Sequence, residues 1–317
     1  MKKSYTVDST CNDMRIDRWI RLKVGKIPQG LIEKYLRSGK IKINKKKVKS
    51  STKVKTDDVI NSFIVDFKET IVQKKIKFEP SKDIIKSNED QIIDNNENFI
   101  VLNKSAGISV QGGTKSKKNL VDIFAKSEIF QNNKPFSVHR LDKDTSGCLV
   151  AAKNDAAHQS LCEQFASRTN EKRYLTVVQS KPNQHESKIF TNIGRHPVNR
   201  LKMAVVNPGS GKSAMTDYRV LYSAENGTSL ILCHLHTGRT HQIRVHMVHI
   251  GTPILGDPIY AKPARQPVQP GRLMLHAWQL VITHPKTGER MNFEAPIPDE
   301  YNPWAQNMEG GQSCSLT

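Results

Sequence analysis

The sequence predicts an α+β fold in two domains of unequal size, the larger of which has a mixed, largely antiparallel sheet flanked by helices and loops. Three observations lead to this prediction. The chain has 317 residues, more than the roughly 150 typical of one domain. Its positive charge is concentrated near the N-terminus. From residue 96 onwards, short apolar runs and turns are interleaved with few helical segments, unlike the strict alternation of a parallel doubly wound sheet.

The charge of the chain is strongly positive. It holds 49 Lys and Arg against 30 Asp and Glu, a net charge of +19, and its sequence pI is about 9.7. Residues 1–60 alone hold 17 Lys and Arg against 6 Asp and Glu. Such a field attracts polyanions and indicates a nucleic-acid partner. A lysine-rich surface that reflects codon usage is the alternative.

Cysteine use and hydropathy exclude several classes of protein. The five cysteines are odd in number and form no CxxC pair, which argues against a disulfide framework and favours a reducing compartment; they are Cys11, Cys148, Cys162, Cys233 and Cys314. No apolar stretch approaches the roughly 18 residues of a membrane span. The N-terminus lacks an apolar signal region, and Asp8 and Asp13 fit a mitochondrial transit peptide poorly.

The small domain is predicted over residues 14–62. Its first helix is indicated by apolar residues at helical spacing, namely Ile16, Trp19, Ile20 and Val24. A second helix is predicted between Pro28 and the helix stop Gly39. Two strands follow, one in the alternating run KIKINKKKVK with its basic turn and one in KVKTDDVI.

This order of elements resembles the S4-type RNA-binding domain. The resemblance implies a small scaffold that directs Lys and Arg side chains toward RNA phosphates. The candidate RNA-binding residues are Arg15, Arg18, Arg21, Lys34, Arg37, Lys40, Lys45, Lys46 and Lys47. Any one of them alone fits a solvated surface residue equally well, but as a group they favour RNA binding. Residues 63–95 are predicted to be a polar linker, 96–302 the larger domain, and 303–317 a disordered tail.

The first segment that carries chemistry is HRLDKDTSG, residues 139–147. An acid lies beside cations and small hydroxyl residues just before the apolar strand CLVAAK, which is how a loop presents a carboxylate at a sheet edge. Arg140 and Lys143 would keep that carboxylate ionised, so that it could act as nucleophile or base. The residues themselves do not choose between Asp142 and Asp144, and an ordinary turn is the alternative.

Two later segments add an aromatic ring and an arginine. Tyr174 lies between basic residues on a predicted strand, where it could stack on a base; a half-buried tyrosine of an amphipathic strand is the alternative. In SLILCHLHTGRTHQIRVHMVHI a strand ends near Arg239, and a helix follows that Gly251 closes. Arg244 lies in this helix, within reach of a carboxylate on a neighbouring loop unless it is a surface arginine.

HRLDKDTSG resembles the signature HRLDxxTSG of the RluA family of RNA pseudouridine synthases. The segment around Tyr174 resembles the family's K-x-Y motif, and TGRTHQIRVH with the following G-x-P-I-x-G-D-P-x-Y resembles its third motif. The resemblance implies that Asp142 is the catalytic residue and that Arg140 displaces the target base from its stack. It also implies that Tyr174 packs on the uracil and that Arg244 pairs with Asp142. Arg239 is a further RNA-binding candidate.

The resemblance covers residues 14–300 and is greatest to the RluC subgroup. It implies an enzyme that acts on uridines of large-subunit (23S) ribosomal RNA. We expect a cytoplasmic bacterial enzyme, with an organelle as the lesser possibility, that acts as a monomer. A non-catalytic RNA-binding assembly factor and a synthase acting on transfer RNA are the alternatives. One departure is Lys104-Ser105-Ala106-Gly107 in place of Lys-Pro-x-Gly, which loosens a turn without removing chemistry.

No metal and no cofactor are predicted. Five histidines invite a zinc site, but no Cys or Glu stands at a ligand spacing beside them; they are His234, His236, His241, His246 and His249. The sequence has no GxxxxGK[ST] loop and no GxGxxG after a strand, so no nucleotide cofactor is indicated. An isomerisation needs no redox partner, and one essential carboxylate fits it, whereas glycosidases generally need two.

Overall fold

The computed structural model describes residues 3–25, 27–62, 78–112, 118–131, 133–199, 201–261 and 266–308. The chain divides into two compact units, Met1–Ile76 and Lys77–Thr317. Within the described ranges, each helix is too short or too polar to cross a bilayer.

The first unit contains two helices and a three-stranded antiparallel sheet. Its elements are β1 (Lys3–Thr6), a 3-10 turn (Ser9–Cys11), α1 (Ile16–Lys23), α2 (Gln29–Ser38), β2 (Ile41–Ile43) and β3 (Val59–Ser62). The strand order is β1-β3-β2. The helices lie where the apolar spacing predicts them, and α2 ends at Gly39 in the left-handed conformation with φ 76° that glycine adopts readily. Strand β1 was not predicted because its residues are mostly exposed and show little apolar alternation.

The core of the first unit comes from the apolar faces of both helices and the inner face of the sheet. Its buried members include Ile16, Trp19, Ile20, Ile32, Leu36, Ile41, Val54 and Ile60. The ring of Trp19 meets Tyr5 of β1 edge to face, with centroids 5.8 Å apart. Each large apolar side chain buried in this way contributes about 1.5–3 kcal/mol, which holds β1 against α1.

The second unit is built on one large sheet. Its helices are α3 (Lys82–Glu89), α4 (Leu120–Phe124), α5 (Asp155–Ser167), α6 (Gln242–His249) and α7 (Asn302–Ala305), with 3-10 turns at Glu128–Phe130 and Asp299–Tyr301. Its strands are β4 (Ile92–Asn95), β5 (Phe99–Lys104), β6 (Phe136–Ser137), β7 (Ser146–Ala152), β8 (Glu171–Val178), β9 (Glu186–Arg195), β10 (Met203–Val206), β11 (Lys212–Ser223), β12 (Ser229–Leu235), β13 (Leu275–Thr283) and β14 (Arg290–Glu294).

The strand order of this sheet is β10-β9-β11-β12-β8-β13-β7-β5-β4, with β14 beside β13 and β6 beside β7. The pairing of β7 with β13 is parallel, while the others are antiparallel. The predicted α+β class with a mixed, largely antiparallel sheet is therefore confirmed.

A glycine allows the parallel pairing of β7 with β13. Gly147 of β7 lies opposite Ala277 of β13 with φ 107°, and an added Cβ would stand 2.2 Å from the Ala277 carbonyl oxygen. Glycine alone combines this positive φ with so close an approach. The pairing places the start of β7, and therefore the loop that precedes it, beside the central strands β13 and β8.

The segment predicted as a linker is partly folded. Its second half contains α3, capped by the Ser81 hydroxyl, which accepts from the Ile84 amide at 3.4 Å, and β4, which pairs with β5. The prediction was wrong here because the segment is polar overall, whereas a few isoleucines are enough to dock it; Ile84, Ile85 and Ile92 pack against the main core. Residues 63–77 lie outside the described residues.

The start of the predicted disordered tail is also folded. Helix α7 covers Asn302–Ala305, and Trp304 is only 3% exposed. Its indole nitrogen donates to the Thr228 hydroxyl at 2.7 Å. A single large aromatic side chain with a satisfied N–H can anchor an otherwise polar segment. The prediction of a disordered tail relied on the polar composition of the segment and overlooked this anchor. Residues 309–317 lie outside the described residues.

Candidate active site

A cavity of about 410 Å³ in the second unit collects residues from all three sequence motifs. They come from the loop before β7, the end of α5, strand β8 and the segment between β12 and α6. The lining includes His139, Arg140, Asp142, Thr145, Phe165, Arg168, Lys172, Tyr174, His236, Arg239, His241 and Gln242. The fold therefore converts segments that are distant in sequence into one concave surface.

The loop that carries Asp142 is anchored by the side chain of Lys104, which is 1% exposed. The Lys104 ammonium donates to the carbonyl oxygens of Ser105 at 2.9 Å, Ile108 at 2.9 Å and Lys143 at 3.0 Å. The Gly107 amide donates to the same Lys143 carbonyl at 2.9 Å. Burial lowers the pKa of Lys104 to about 7, although nearby carboxylates oppose that shift. The loop backbone is thus fixed by buried donors.

Asp142 lies 20% exposed beside a buried arginine. Its Oδ2 accepts from Arg244 Nη1 at 3.3 Å. The other side of the guanidinium is held by Asp257, because Nε donates to Oδ2 at 2.7 Å and Nη2 donates to Oδ1 at 2.8 Å. Arg244 is 2% exposed. One guanidinium therefore bridges two carboxylates, bidentate to the buried one and single to the accessible one, a geometry that arginine makes possible.

The charge balance keeps Arg244 protonated. Burial acts to lower the pKa of Arg244, but the hydrogen bonds and negative charge of Asp257, supplemented by Asp142, outweigh it and raise that pKa. Asp257 also accepts from the backbone amides of Ile259 at 2.8 Å and Tyr260 at 3.0 Å. Because so many hydrogen bonds hold this buried ion pair, the positions of both side chains are fixed, and removing either partner is costly in stability.

His241 also lies close to Asp142. Its Nε2 is 3.8 Å from Asp142 Oδ2, and its Nδ1 is 2.8 Å from the Tyr260 hydroxyl. That hydroxyl also accepts from the Met203 amide at 2.8 Å. His241 has φ 57°, a left-handed conformation uncommon for residues other than glycine. Burial lowers the pKa of His241, while the charge of Asp142 opposes that shift, so burial favours the neutral form of the ring.

Tyr174 and Arg140 border the same cavity. Tyr174 on β8 is buried, and burial together with the charge of Asp142 raises the pKa of its phenol, so the ring is neutral. Arg140 is exposed while lining the cavity. Asp144 is not part of this lining. The geometry therefore distinguishes the two aspartates that the residues themselves left open, and it favours Asp142.

Two further cations line the cavity. Arg239 is half-buried, and its Nε donates to the Ser213 carbonyl at 2.9 Å. Lys172 donates to Asn170 Oδ1 at 2.6 Å and lies 5.6 Å from the centre of the Phe165 ring. Burial, with a contribution from the charge of Arg168, lowers the pKa of Lys172 to about 8. The cavity thus offers positive charge to a polyanionic substrate.

The basic candidates of the first unit are all exposed; they are Arg15, Arg18, Arg21, Lys34, Arg37, Lys40, Lys45, Lys46 and Lys47. Arg15 is engaged by Asp17, with Nη2 2.8 Å from Oδ2, and Lys40 lies 5.6 Å from the centre of the Tyr35 ring. Their role in RNA binding stays a prediction.

Sequence reasoning missed several residues of the cavity and its support, namely Lys104, Lys172, His241, Asp257 and Tyr260. Asp257 and Tyr260 lie in the segment G-x-P-I-x-G-D-P-x-Y, which was quoted only for its likeness. The sequence does contain a signal for these two residues, because an acid and a tyrosine that closely follow an HQIR helix are natural partners for its arginine and histidine.

Comparisons with known proteins give a consistent result. The family model for RNA pseudouridylate synthase matches residues 98–249, and the S4 domain model matches residues 14–60. The ribosomal large subunit pseudouridine synthase C of Rickettsia bellii is 35% identical over 293 residues, covering 91% of this chain and 96% of the relative. The protein of the same name from Escherichia coli O157:H7 is 32% identical, covering 90% of each chain.

Among solved structures, human RNA pseudouridylate synthase domain containing 1 superimposes with a TM-score of 0.57 at 27% sequence identity, covering 70% of this chain and 87% of that one. The long, nearly complete match to the relatives agrees with the cavity built from the three motifs. The chain therefore belongs to the RNA pseudouridylate synthase family, with an S4 domain ahead of the synthase domain.

Proposed function

We propose that this pseudouridine synthase isomerises specific uridines of large-subunit (23S) ribosomal RNA, with Asp142 as its catalytic carboxylate. The observation that carries the proposal is the position of Asp142 in a cavity that Tyr174 also lines, with Arg244 beside its carboxylate. The choice of ribosomal RNA is supported by the names of relatives that match over most of the chain.

The target uridine must leave its stack to reach Asp142, which costs a few kcal/mol. Arg140 is exposed at the cavity and would fill the gap that the base leaves. The ring of Tyr174 would form a flat wall for the uracil, because aromatic rings stack on bases. The cavity volume of about 410 Å³ lies within the range of small-ligand sites.

Asp142 would then assist cleavage of the bond between the uracil nitrogen and the ribose. Arg244 stabilises the ionised form of Asp142, and the ionised form is needed whether it acts as a nucleophile or as a base. The freed uracil rotates and rejoins the ribose through its carbon 5; the hydrogen at carbon 5 is lost to solvent as a proton, and the ring nitrogen released from the ribose takes up a proton. The reaction is an isomerisation and uses no cofactor.

Several finer properties belong to the same proposal. The exposed Lys and Arg residues of the S4 domain would bind RNA phosphates, and Arg239 would do so at the cavity. We further propose a cytoplasmic bacterial enzyme that acts as a monomer. The alternatives, a non-catalytic assembly factor or a synthase for transfer RNA, are not favoured: a pure binder has no use for the Asp142–Arg244 pair, and the relatives are named for the ribosomal large subunit.

Tritium release from RNA labelled at carbon 5 of uridine tests this function. Wild type should release tritium from large-subunit ribosomal RNA, and Asp142→Asn should release less by more than about 100-fold. Asp144→Asn is the matched control and should stay close to wild type. Loss of release in Asp144→Asn with release retained in Asp142→Asn would show that the wrong carboxylate was chosen. Release from transfer RNA alone would refute the ribosomal substrate.

A further inference from the structure

We propose that Asp217, His234 and His236 form a binding site for one divalent transition-metal ion of the Zn²⁺ class, separate from the Asp142–Arg244 pair. The site revises the expectation from sequence that no residue set holds a metal. Its third ligand, Asp217, lies on a different strand from the two histidines, so no spacing rule in the sequence could have joined them.

The pairing of β11 with β12 places Asp217 beside the two histidines. His234 lies in β12, and His236 is the first residue after that strand. Asp217 on β11 lies directly opposite His234 in the register. The adjacent pair, Cys233 with Tyr174, points to the other face. Asp217 and His234 therefore lie on the face opposite Tyr174, whereas His236 reaches the border of the cavity.

The distances are close to those that a metal requires. One ligand atom from each of the three residues can be chosen so that all lie within 4.8 Å of one another. His236 Nε2 is 2.9 Å from Asp217 Oδ2, and the rings of His234 and His236 have centroids 4.4 Å apart. Ligand bonds of about 2.0–2.2 Å in tetrahedral geometry would draw these atoms closer together.

A second observation favours a cation as the ligand of this group. The Oδ1 atom of Asp217 is buried, and no donor of the described residues reaches it. A buried acceptor without a partner is unfavourable, and more so when it is charged. A metal ion bound by Asp217 would neutralise this carboxylate.

Neighbouring cations do not block the site. Lys188 Nζ is 4.0 Å from Asp217 Oδ2, but the Lys188 side chain is 73% exposed and can turn into solvent. Arg173, paired with His234 in the register, is already engaged, because its guanidinium donates to Glu171 at 3.1 Å and to Gln279 at 3.2 Å. An incoming divalent ion would therefore displace one surface lysine.

The chemistry of the ligands selects the class of ion. Two imidazole nitrogens and one carboxylate oxygen suit Zn²⁺, Co²⁺ or Ni²⁺, whereas Mg²⁺ and Ca²⁺ prefer sets of oxygen ligands. Three protein ligands leave a coordination position for water or for an anionic oxygen. His236 also borders the cavity, so the ion would sit at its rim.

The other histidines near the cavity are already committed. His246 is buried between the hydroxyls of Thr191 and Thr216, each 2.9 Å from a ring nitrogen, and His241 binds Tyr260. Within the described ranges, Asp217, His234 and His236 are the one group of three such side chains that meets the distance requirement.

Metal titration of the full chain tests the proposal without reference to RNA activity. Protein stripped with a chelator is titrated with Zn²⁺ against a chromogenic zinc indicator, and separately with Co²⁺, whose visible absorption reports tetrahedral coordination. We expect one equivalent of Zn²⁺ to bind wild type at least tenfold more tightly than Asp217→Asn, His234→Ala or His236→Ala. The Co²⁺ bands should disappear in the same variants, and excess Mg²⁺ should not displace the ion.

His249→Ala is the matched control, because His249 is exposed on α6 outside the group and its variant should bind like wild type. Circular dichroism and thermal unfolding establish that each variant is folded, and His236→Gln serves as a milder replacement. Zn²⁺ affinity in wild type no greater than in the folded Asp217→Asn variant, or a stoichiometry that changes in His249→Ala, would overturn the proposal.

Discussion

The cavity of the synthase domain and the basic surface of the S4 domain use charge in opposite ways. Around Asp142, a few charged groups are buried and each is fixed by several partners, as when Asp257 holds Arg244 through two hydrogen bonds. On the S4 domain, the basic side chains are exposed, and Arg18 or Lys45 can be replaced without disturbing the packing of the core. The comparison teaches that the buried charges of the cavity depend on one another, so that the loss of one affects the others. The exposed charges of the S4 surface contribute separately, and their contributions to binding add up.

The largest effect should come from breaking the buried unit. Arg244→Met leaves the carboxylate of Asp257 buried without its counter-ion, which should lower the free energy of unfolding by about 3–5 kcal/mol and abolish detectable tritium release. The double variant Arg244→Met/Asp257→Leu removes both charges, so it should regain most of the stability but none of the activity. Urea unfolding and tritium release measure the two quantities. Activity recovered by the double variant would contradict a positioning role for Arg244.

Replacing Tyr174, the aromatic residue that lines the cavity, should have the next largest effect on activity. Stacking of a base on an aromatic ring is worth about 1–3 kcal/mol, so Tyr174→Leu should lower kcat/KM for RNA by about 10- to 100-fold. Tyr174→Phe keeps the ring and should lose much less. If the two variants lost activity equally, the hydroxyl rather than the ring would be the important group of Tyr174.

Lys104 differs from Arg244 in that it is a buried basic group whose hydrogen bonds go to backbone carbonyls and not to a carboxylate. Its pKa is lowered from an ordinary 10.5 to about 7 by burial, so between these values the unfolded chain binds the extra proton. Stability should therefore rise with pH above 7, by at most about 1.4 kcal/mol per pH unit. Urea unfolding at pH 7 and pH 9 should show this rise in wild type and in Lys126→Met, an exposed control, and a smaller rise in Lys104→Met, where the lowered pKa of Lys172 still contributes.

The smallest individual effects are expected on the S4 surface. Lys45→Ala, Lys46→Ala and Lys47→Ala should each weaken RNA binding by a fewfold, and the triple variant should lower the slope of log affinity against log salt by about two to three. Lys55→Ala, an exposed lysine of the same unit outside the candidate set, should leave the slope unchanged. Filter binding at several salt concentrations measures it. A single lysine that abolished binding would contradict additive phosphate contacts.

Sequence reasoning predicted those parts of the molecule that are encoded locally. Helix α2, bounded by Pro28 and Gly39, follows from a pattern within a few positions, whereas the choice of Asp142 and its pairing with Arg244 rest on the resemblance of short motifs to the family. The strand β1 and helix α3 escaped because short polar elements are stabilised by distant cores rather than by their own periodicity.

The support of the site could not be predicted because it depends on register. Lys104 meets the Lys143 carbonyl across 39 positions, and Asp217 meets His234 only because β11 and β12 pair with that alignment. A shift of one residue would turn Asp217 to the other face. The identity of such partners is decided by tertiary pairing, which a single sequence does not display.

The parallel pairing of β7 with β13 has a consequence for how the protein is made. Ser146 and His276 contact each other across 130 positions, and β13 lies between β7 and β8 in the sheet. A nascent chain that has not yet extruded β13 therefore cannot join the strand that follows Asp142 to the strand that carries Tyr174. Contacts so distant in sequence form late and slow folding, so competence for catalysis should be acquired only after synthesis of almost the whole chain.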